Sequence, residues 1–506
     1  MEHSDGEIAA PPEDRLSALP VDILIDILLK LRDAAAAAQT SGLSRHWRRL
    51  WAQLPELFFH PATRPNGIRA AIESNELLAL RRLEVKVIHP TRESLAAWLH
   101  IAAPRLSGDL RIIKAAGQSE TEDETAQGAP LELPCFENAT AIRLDLGNLA
   151  LAMPPAGVFA GLTDLFLSGV DLRGPCMLGD AVSSPRCPAL RKLAVHGASG
   201  LANFAIRSDS LLEIELKHLK GDGALGLGNI TIRSESLLQI GLIKVHDMQQ
   251  LTVLAPALQV LNVTYCFAHG STYSEPVANI CAPQLMCLYW TDAYEPSSTQ
   301  FGNIRNLKWL DTYPFLVYGQ DSRRLSNDWC LGLMRRFESI LYLTFILVYP
   351  LDITNKQYLM EDIARFPDIE GLALEIKPKG HSFGASVFHV LRMCTGVKRL
   401  RFTLMDVISH TEAQSACPSD CVCDQLPNWK TQELALNCLQ EVTIHKLNGT
   451  EHEAALIKQL FDWATALENM TIAFHDSVPK RKAKEFFQML QSFSRPEIRM
   501  KGPHFA

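Results

Sequence analysis

The sequence predicts an α/β chain in which a short helical unit precedes a long stack of parallel strand repeats. Two near-copies carry the prediction, IRSDSLLEIELKHLKG at 206–221 and IRSESLLQIGLIKVHD at 232–247. Both hold the form L-x-x-L-x-L, with Leu211, Ile214, Leu216 in one and Leu237, Ile240, Leu242 in the other. A second observation lies near the start, in ALPVDILIDILLKL at 18–31, which is more apolar than a one-sided helix requires. The third is composition: 506 residues, 47% hydrophobic and 21% charged, describe a folded, core-forming chain too long for one compact core.

The N-terminal element comes first. On a helical wheel Asp22, Asp26, Lys30 and Asp33 share one narrow side. Val21, Ile23, Leu24, Ile25, Ile27, Leu28, Leu29 and Leu31 fill the remaining arc, about twice the ~100° stripe of one-sided burial. Such a helix needs two neighbours, and one of them can be another chain. Pro20 suits a first helical turn, so the helix starts at about that residue. An alanine run follows, and then Leu43, Trp47, Leu50 and Trp51 recur at three- and four-residue steps, predicting two or three short helices in succession.

Leu19 and Pro20, then Ile23, Leu24, Ile27 and Leu28, then LSRHWRRLW at 43–51 together resemble an F-box of the plant type. One departure is Val21, where that family often carries an acidic residue. The resemblance implies a unit at 15–60 that docks on a Skp-type adaptor and, through it, on cullin and RING subunits and a ubiquitin-charged E2. It implies an adaptor surface at Leu19, Pro20, Ile23, Leu24, Ile27, Leu28, Leu43, Trp47, Leu50 and Trp51. Residues 1–14 read as a flexible leader, and 61–76, containing TRPNG, as a linker.

The strand form of the two near-copies recurs along the chain, for example at Leu80/Leu83/Val85, Leu162/Leu165/Leu167, Leu258/Leu261/Val263, Leu285/Leu288/Trp290, Ile340/Leu343/Phe345 and Leu467/Met470/Ile472. Successive starts lie mostly about 21 to 33 residues apart, which resembles leucine-rich repeats. A solenoid is therefore expected at 77–415, with a parallel sheet on its concave face. Its returns are mixed, extended ones such as LANFAI at 201–206 and helical ones such as ASVFHVLRMC at 385–394. The acidic stretch at 115–130 reads as a disordered insertion. Residues 416–506, with their cysteine cluster, Trp429, LQEVTI and GTEHE, are similar to the FBD-type region of plant F-box proteins, common in grasses, and are expected to supply the last repeats and a cap.

On each strand the residues between buried positions face outward. The register places Tyr289, Trp309, Asp311 and Tyr313 together as a candidate substrate-binding patch, since exposed aromatics anchor protein partners.

Other chemistry has less support. GHSFG at 380–384 fits the G-x-S-x-G elbow with Ser382 as nucleophile, Asp420 or Asp424 as acid and His445, His452 or His475 as base. Lys377, Pro378 and Lys379 separate it from the preceding strand-like run, whereas an elbow springs directly from a buried strand. Cys417, Cys421 and Cys423 are spaced closely enough to ligate zinc, with His410 and Cys438 on either side. Structural zinc sites, however, present two hooks well apart in sequence, and only one is visible, so a packed loop of thiols is expected and no metal or other cofactor. Twelve cysteines over this length fit a reducing compartment. Net charge −7 gives no case for nucleic acid or an anionic membrane. PKRKAKEFF at 479–487 fits either a nuclear import patch or the solvated face of a last helix, and cytoplasm, nucleus or both are expected.

The expected function is that of a non-catalytic, substrate-recruiting F-box subunit of a ubiquitin ligase, binding the adaptor by its first helices and a target protein by its repeats. The alternatives are a non-degradative repeat scaffold and a serine hydrolase using Ser382.

Overall fold

The computed structural model describes residues 19–115, 128–174, 176–221, 228–246, 248–267, 277–320, 324–405, 421–424 and 429–505. The leader at 1–14, all but the margins of the acidic insertion, and Cys417 lie outside these residues. The chain divides into two compact units, Met1–Ser236 and Leu237–Ala506.

The first unit opens with α1 (Val21–Lys30), whose N-cap is Pro20, as the fixed φ of proline favours. Arg32, in the left-handed region at φ 48°, turns the chain, and the Asp33 carboxylate then accepts the Ala35 N–H at 2.8 Å to start α2 (Ala34–Gln39). Trp47–Gln53 is a 3-10 helix rather than an α-helix. Its three-residue turn puts Trp47 and Leu50 on the same inward side, and both are buried.

The expected linker at 61–76 is not one. It holds α3 (Pro65–Ser74), with Pro65 in its first turn and Ile68 and Ile72 buried. The strand before it, β1 (Glu56–Phe59), already pairs in parallel with β2 (Leu80–Val87), so the sheet starts at Glu56 and not near residue 77. From β2 the sheet runs on through β3 (Leu106–Lys114), β5 (Ala141–Ala152), β6 (Asp164–Leu172), β7 (Lys192–His196) and β9 (Glu213–Lys217), with β4 (Leu131–Glu132) beside the far end of β5. Every pairing is parallel. Helices α4 (Arg92–Ala102) and α5 (Leu178–Val182) fill returns, while β8 (Phe204–Arg207) and β10 (Asn229–Arg233) pair as an extended return layer.

In the second unit β11 (Gln239–Ile243), β13 (Val260–Thr264), β15 (Cys287–Thr291), β17 (Trp309–Asp311), β20 (Ser339–Val348), β22 (Asp368–Lys377), β23 (Arg399–Leu404), β24 (Glu441–Leu447), β25 (Asn469–Phe474) and β26 (Arg499–Phe505) again pair in parallel, each with the next. The extended layer consists of β12 (Gln250–Leu254), β14 (Val277–Cys281) and β16 (Thr299–Phe301). A short β18 (Phe315–Leu316) joins β20, and β19 (Tyr318–Gly319) meets β21 (Gln357–Tyr358) in an antiparallel pair. Later returns are α6 (Arg324–Arg335), α7 (Gly384–Met393), α8 (Glu451–Trp463) and α9 (Lys480–Phe493). The architecture is that of a leucine-rich-repeat chain. Helical returns also occur near its start, at α3 and α4, where the sequence had not marked them.

The predicted strand triplets named above are buried throughout, from Leu80, Leu83 and Val85 to Leu467, Met470 and Ile472. Apolar residues of the return layer, such as Phe204 and Ile206, are buried as well. Period-two alternation fixes this register, because a one-residue slip would put every leucine in water. The apolar run at 339–351 is mostly β20, and among the described residues no helix is long and apolar enough to cross a membrane. GTEHE opens α8: Thr450 and Glu453 form a reciprocal capping box, and the buried Glu453 carboxylate also accepts the Asn448 and Gly449 N–H groups.

Candidate functional site

Helix α1 divides its apolar residues between two directions. It packs against the 3-10 helix, and Leu24 and Leu28, four apart, are 0% and 2% exposed. Ile23, Ile27 and Leu31, again four apart, form a neighbouring stripe that faces solvent: Ile23 and Leu31 are 44% and 46% exposed, and Ile27 is half-buried. Val21, Pro20 and Leu43 are exposed as well, and Leu19 and Trp51 are half-buried. Of the ten residues expected on an adaptor surface, Leu24, Leu28, Trp47 and Leu50 therefore belong to the unit's own core. A helical unit this small has to close on those side chains before it can offer others. Arg32, 4.5 Å over the Phe58 ring and 3.3 Å from the buried Glu84 carboxylate, ties the α1–α2 turn to the first two strands.

The outward face of the sheet differs between the units. In the first it is a ladder of charges that satisfy one another: Lys192 with Glu213 at 2.9 Å, and Glu215 with both His196 at 2.7 Å and Lys217 at 2.6 Å. These contacts hold the Glu215 carboxyl below its ordinary pKa, against the opposing effect of partial burial.

In the second unit the outward face turns aromatic. Tyr289 lies opposite Asp311, and Trp309 lies opposite Tyr342, where the rings stack with centroids 5.1 Å apart at 24°. The Trp309 indole N–H donates to the Asp311 carboxylate at 2.6 Å and to the Thr344 hydroxyl at 3.1 Å, which holds the ring flat on the sheet. Burial pushes the Asp311 carboxyl up, although the Thr344 and Trp309 donors pull it down. Arg399 donates to the Tyr342 hydroxyl, and Arg401 follows on the same strand, exposed. Tyr313 is the exception to the expected patch. It lies beyond the end of β17 and packs edge-on against Tyr265 and Trp329, at 6.1 and 5.4 Å. Its place beside Trp309 is taken by Tyr342, which the sequence hid inside an apolar run.

Ser382 sits in the turn between β22 and α7, after Lys379 and Gly380 in left-handed conformations, and not at the abrupt end of a buried strand. The neighbouring His381 turns toward the cysteine segment, with Nδ1 3.6 Å from Cys421 Sγ. His475, another candidate base, bonds Ser477 at 2.7 Å. The elbow motif is thus a repeat's strand-to-helix turn. Trp429 closes over the same turn, so near Gly384 that a Cβ there would lie 2.1 Å from the indole.

No family model matches the chain. Similarity to individual proteins of Arabidopsis thaliana is clear, however. A provisionally named F-box/FBD/LRR-repeat protein is 29% identical over 307 residues, 57% of this chain and 53% of that protein. An F-box/FBD/LRR-repeat protein is 27% identical over 219 residues, 41% of this chain and 48% of its own length. An FBD-associated F-box protein is 28% identical over 213 residues, 40% of this chain and 49% of its own length. The chain is similar to F-box/FBD/LRR-repeat proteins of this plant. It spans about half the length of the curated relatives it matches. Their names describe a protein-interaction family and suggest a non-enzymatic one. The exposed α1 stripe and the aromatic face are the two surfaces that stand out in the structure. Tyr342 and His381 are the residues that reasoning from sequence missed. A count of aromatics at the outward positions of 339–348 would have found Tyr342; nothing local marks His381.

Proposed function

We propose that this chain is a substrate-recruiting F-box subunit of a Skp, cullin and F-box ubiquitin ligase. It binds a Skp-type adaptor through the N-terminal helices and a target protein through the outward face of the second unit. The observation that carries the reading is the exposed stripe Ile23, Ile27, Leu31 on a helix whose other apolar stripe is already buried. Apolar surface concentrated in this way is a protein-docking surface. The work of such a subunit is positional: it raises the effective concentration of a target lysine near the charged E2 and needs no catalytic residue of its own. The Trp309–Tyr342 stack, flanked by Tyr289, Arg399 and Arg401, supplies rigid aromatic anchors with a basic border, suited to a target segment that combines apolar and acidic residues. Action in the cytoplasm, nucleus or both belongs to the same proposal.

Co-purification with a Skp-type adaptor tests it. Wild type should capture the adaptor, and Ile23→Asp with Ile27→Asp should abolish capture. Undiminished capture by this folded variant would overturn the assignment. Loss of capture without any rise in the level of a partner protein in cells would favour a non-degradative scaffold.

A further inference from the structure

We propose that His381, Cys421 and Cys423 form a zinc site that pins the cysteine segment to the turn between β22 and α7. The three side chains present one ligand atom each, all within 4.8 Å of one another, with His381 and Cys423 buried and Cys421 half-buried. His381 comes 40 residues before Cys421, so it supplies the second, distant hook that zinc sites need and that the cysteine spacing alone does not show.

The geometry fits the ion. Zinc with a Zn–N bond of about 2.0–2.1 Å and a Zn–S bond of about 2.3 Å makes the N···S edge of its tetrahedron roughly 3.6 Å. The Nδ1–Sγ separation between His381 and Cys421 is 3.6 Å. The other ring nitrogen fixes the tautomer. Nε2 lies 3.1 Å from the Leu351 carbonyl, which can only accept, so Nε2 carries the proton and Nδ1 turns a bare lone pair toward the sulfurs. Tyr349 stacks on the imidazole at 6.0 Å and 24°, holding the ring plane.

Two thiolates and an imidazole select zinc over the hard cations magnesium and calcium. Binding requires the two thiols to give up their protons to solvent. The three donors leave the fourth tetrahedral position to water or a further donor. Together with Trp429 on Gly384, the ion fastens the cysteine segment across one repeat of the sheet. The site is independent of adaptor docking.

The test uses the full chain, purified under reducing conditions without chelator, loaded with Zn2+ and dialysed. Elemental analysis should find about one zinc per chain in wild type and a loss of at least about tenfold in His381→Ala and in Cys421→Ser with Cys423→Ser. Substituting Co2+ should give thiolate-to-metal charge-transfer absorption that the variants lack. Should a variant fail to fold, wild type alone still decides: a strong zinc chelator should lower its melting temperature, and Zn2+ but not Mg2+ should restore it. Wild type that retains no zinc, variants that retain as much as wild type, or a Cys421–Cys423 disulfide under these conditions would overturn the proposal.

Discussion

Tyr342 lies across Gly371, its cross-strand partner, so closely that a Cβ on residue 371 would meet the ring's Cδ1 at 2.2 Å. The missing side chain is what lets the ring lie down on one strand and stack on Trp309 from the other. Gly371 is not in the left-handed region, so the backbone tolerates alanine and only the ring is disturbed. Gly371→Ala should destabilise the chain by about 1 kcal/mol, the usual worth of such an aromatic pair, in chemical denaturation. In a Tyr342→Ala background the same change should cost nothing.

The two stripes of α1 predict opposite phenotypes. Ile23→Asp with Ile27→Asp should leave far-UV circular dichroism intact and stability within about 1 kcal/mol of wild type, as for other surface changes. Leu28→Ala, which empties a fully buried position, should cost about 2–5 kcal/mol. Denaturant midpoints of the purified proteins distinguish the two.

Two arginines collect helix-end carbonyls one repeat behind them. Arg105 donates to the carbonyls of Ile72, Asn75 and Leu77 after α3, and Arg495 to those of Phe461, Ala464 and Thr465 after α8. The planar fork reaches several acceptors at once, which an ammonium cannot. Arg105→Lys and Arg495→Lys should each lose about 1–3 kcal/mol, read by denaturation, with the loss confined to the unit that carries the change.

Acid should weaken the second unit. Burial, then the nearby Arg392, lowers the pKa of His389, with Glu361 opposing; burial, then Arg401 and Lys446, lowers that of His445. Their neutral forms are favoured in the fold, so the stability they contribute is present above the unfolded value of about 6.5 and is lost as pH falls through the lower folded values. Melting temperature should therefore drop on acidification below about pH 6.5, and His389→Gln with His445→Gln should flatten that dependence.

The leucine register was legible because two constraints coincide in it. A strand alternates with period two, and a stack repeats the same inward triplet, so Leu83, Leu216, Leu261 and Leu374 announce themselves. What stayed hidden depends on residues whose role is set by a neighbour rather than by their own pattern. Pro65 and Gly67 look like a linker until one sees that proline opens a helix. Each of Gly197, His218, Lys244 and Tyr265 directly follows a strand in left-handed conformation, φ 52–58°, yet only the first is glycine, so the shared geometry leaves no common letter. His381 is harder still. Its partners are 40 residues away, and its own motif advertises the serine beside it.

The exposed stripe on α1 also governs how the lone chain behaves in solution. Four side chains, Val21, Ile23, Leu31 and Leu43, stand between 39% and 69% exposed within a short stretch of sequence. Water gains by their removal whether the cover is a partner or a second copy of the chain, and the second becomes available as concentration rises. Whatever protein covers the stripe is therefore also the solubiliser of this one, and the yield of soluble chain should follow the supply of that companion.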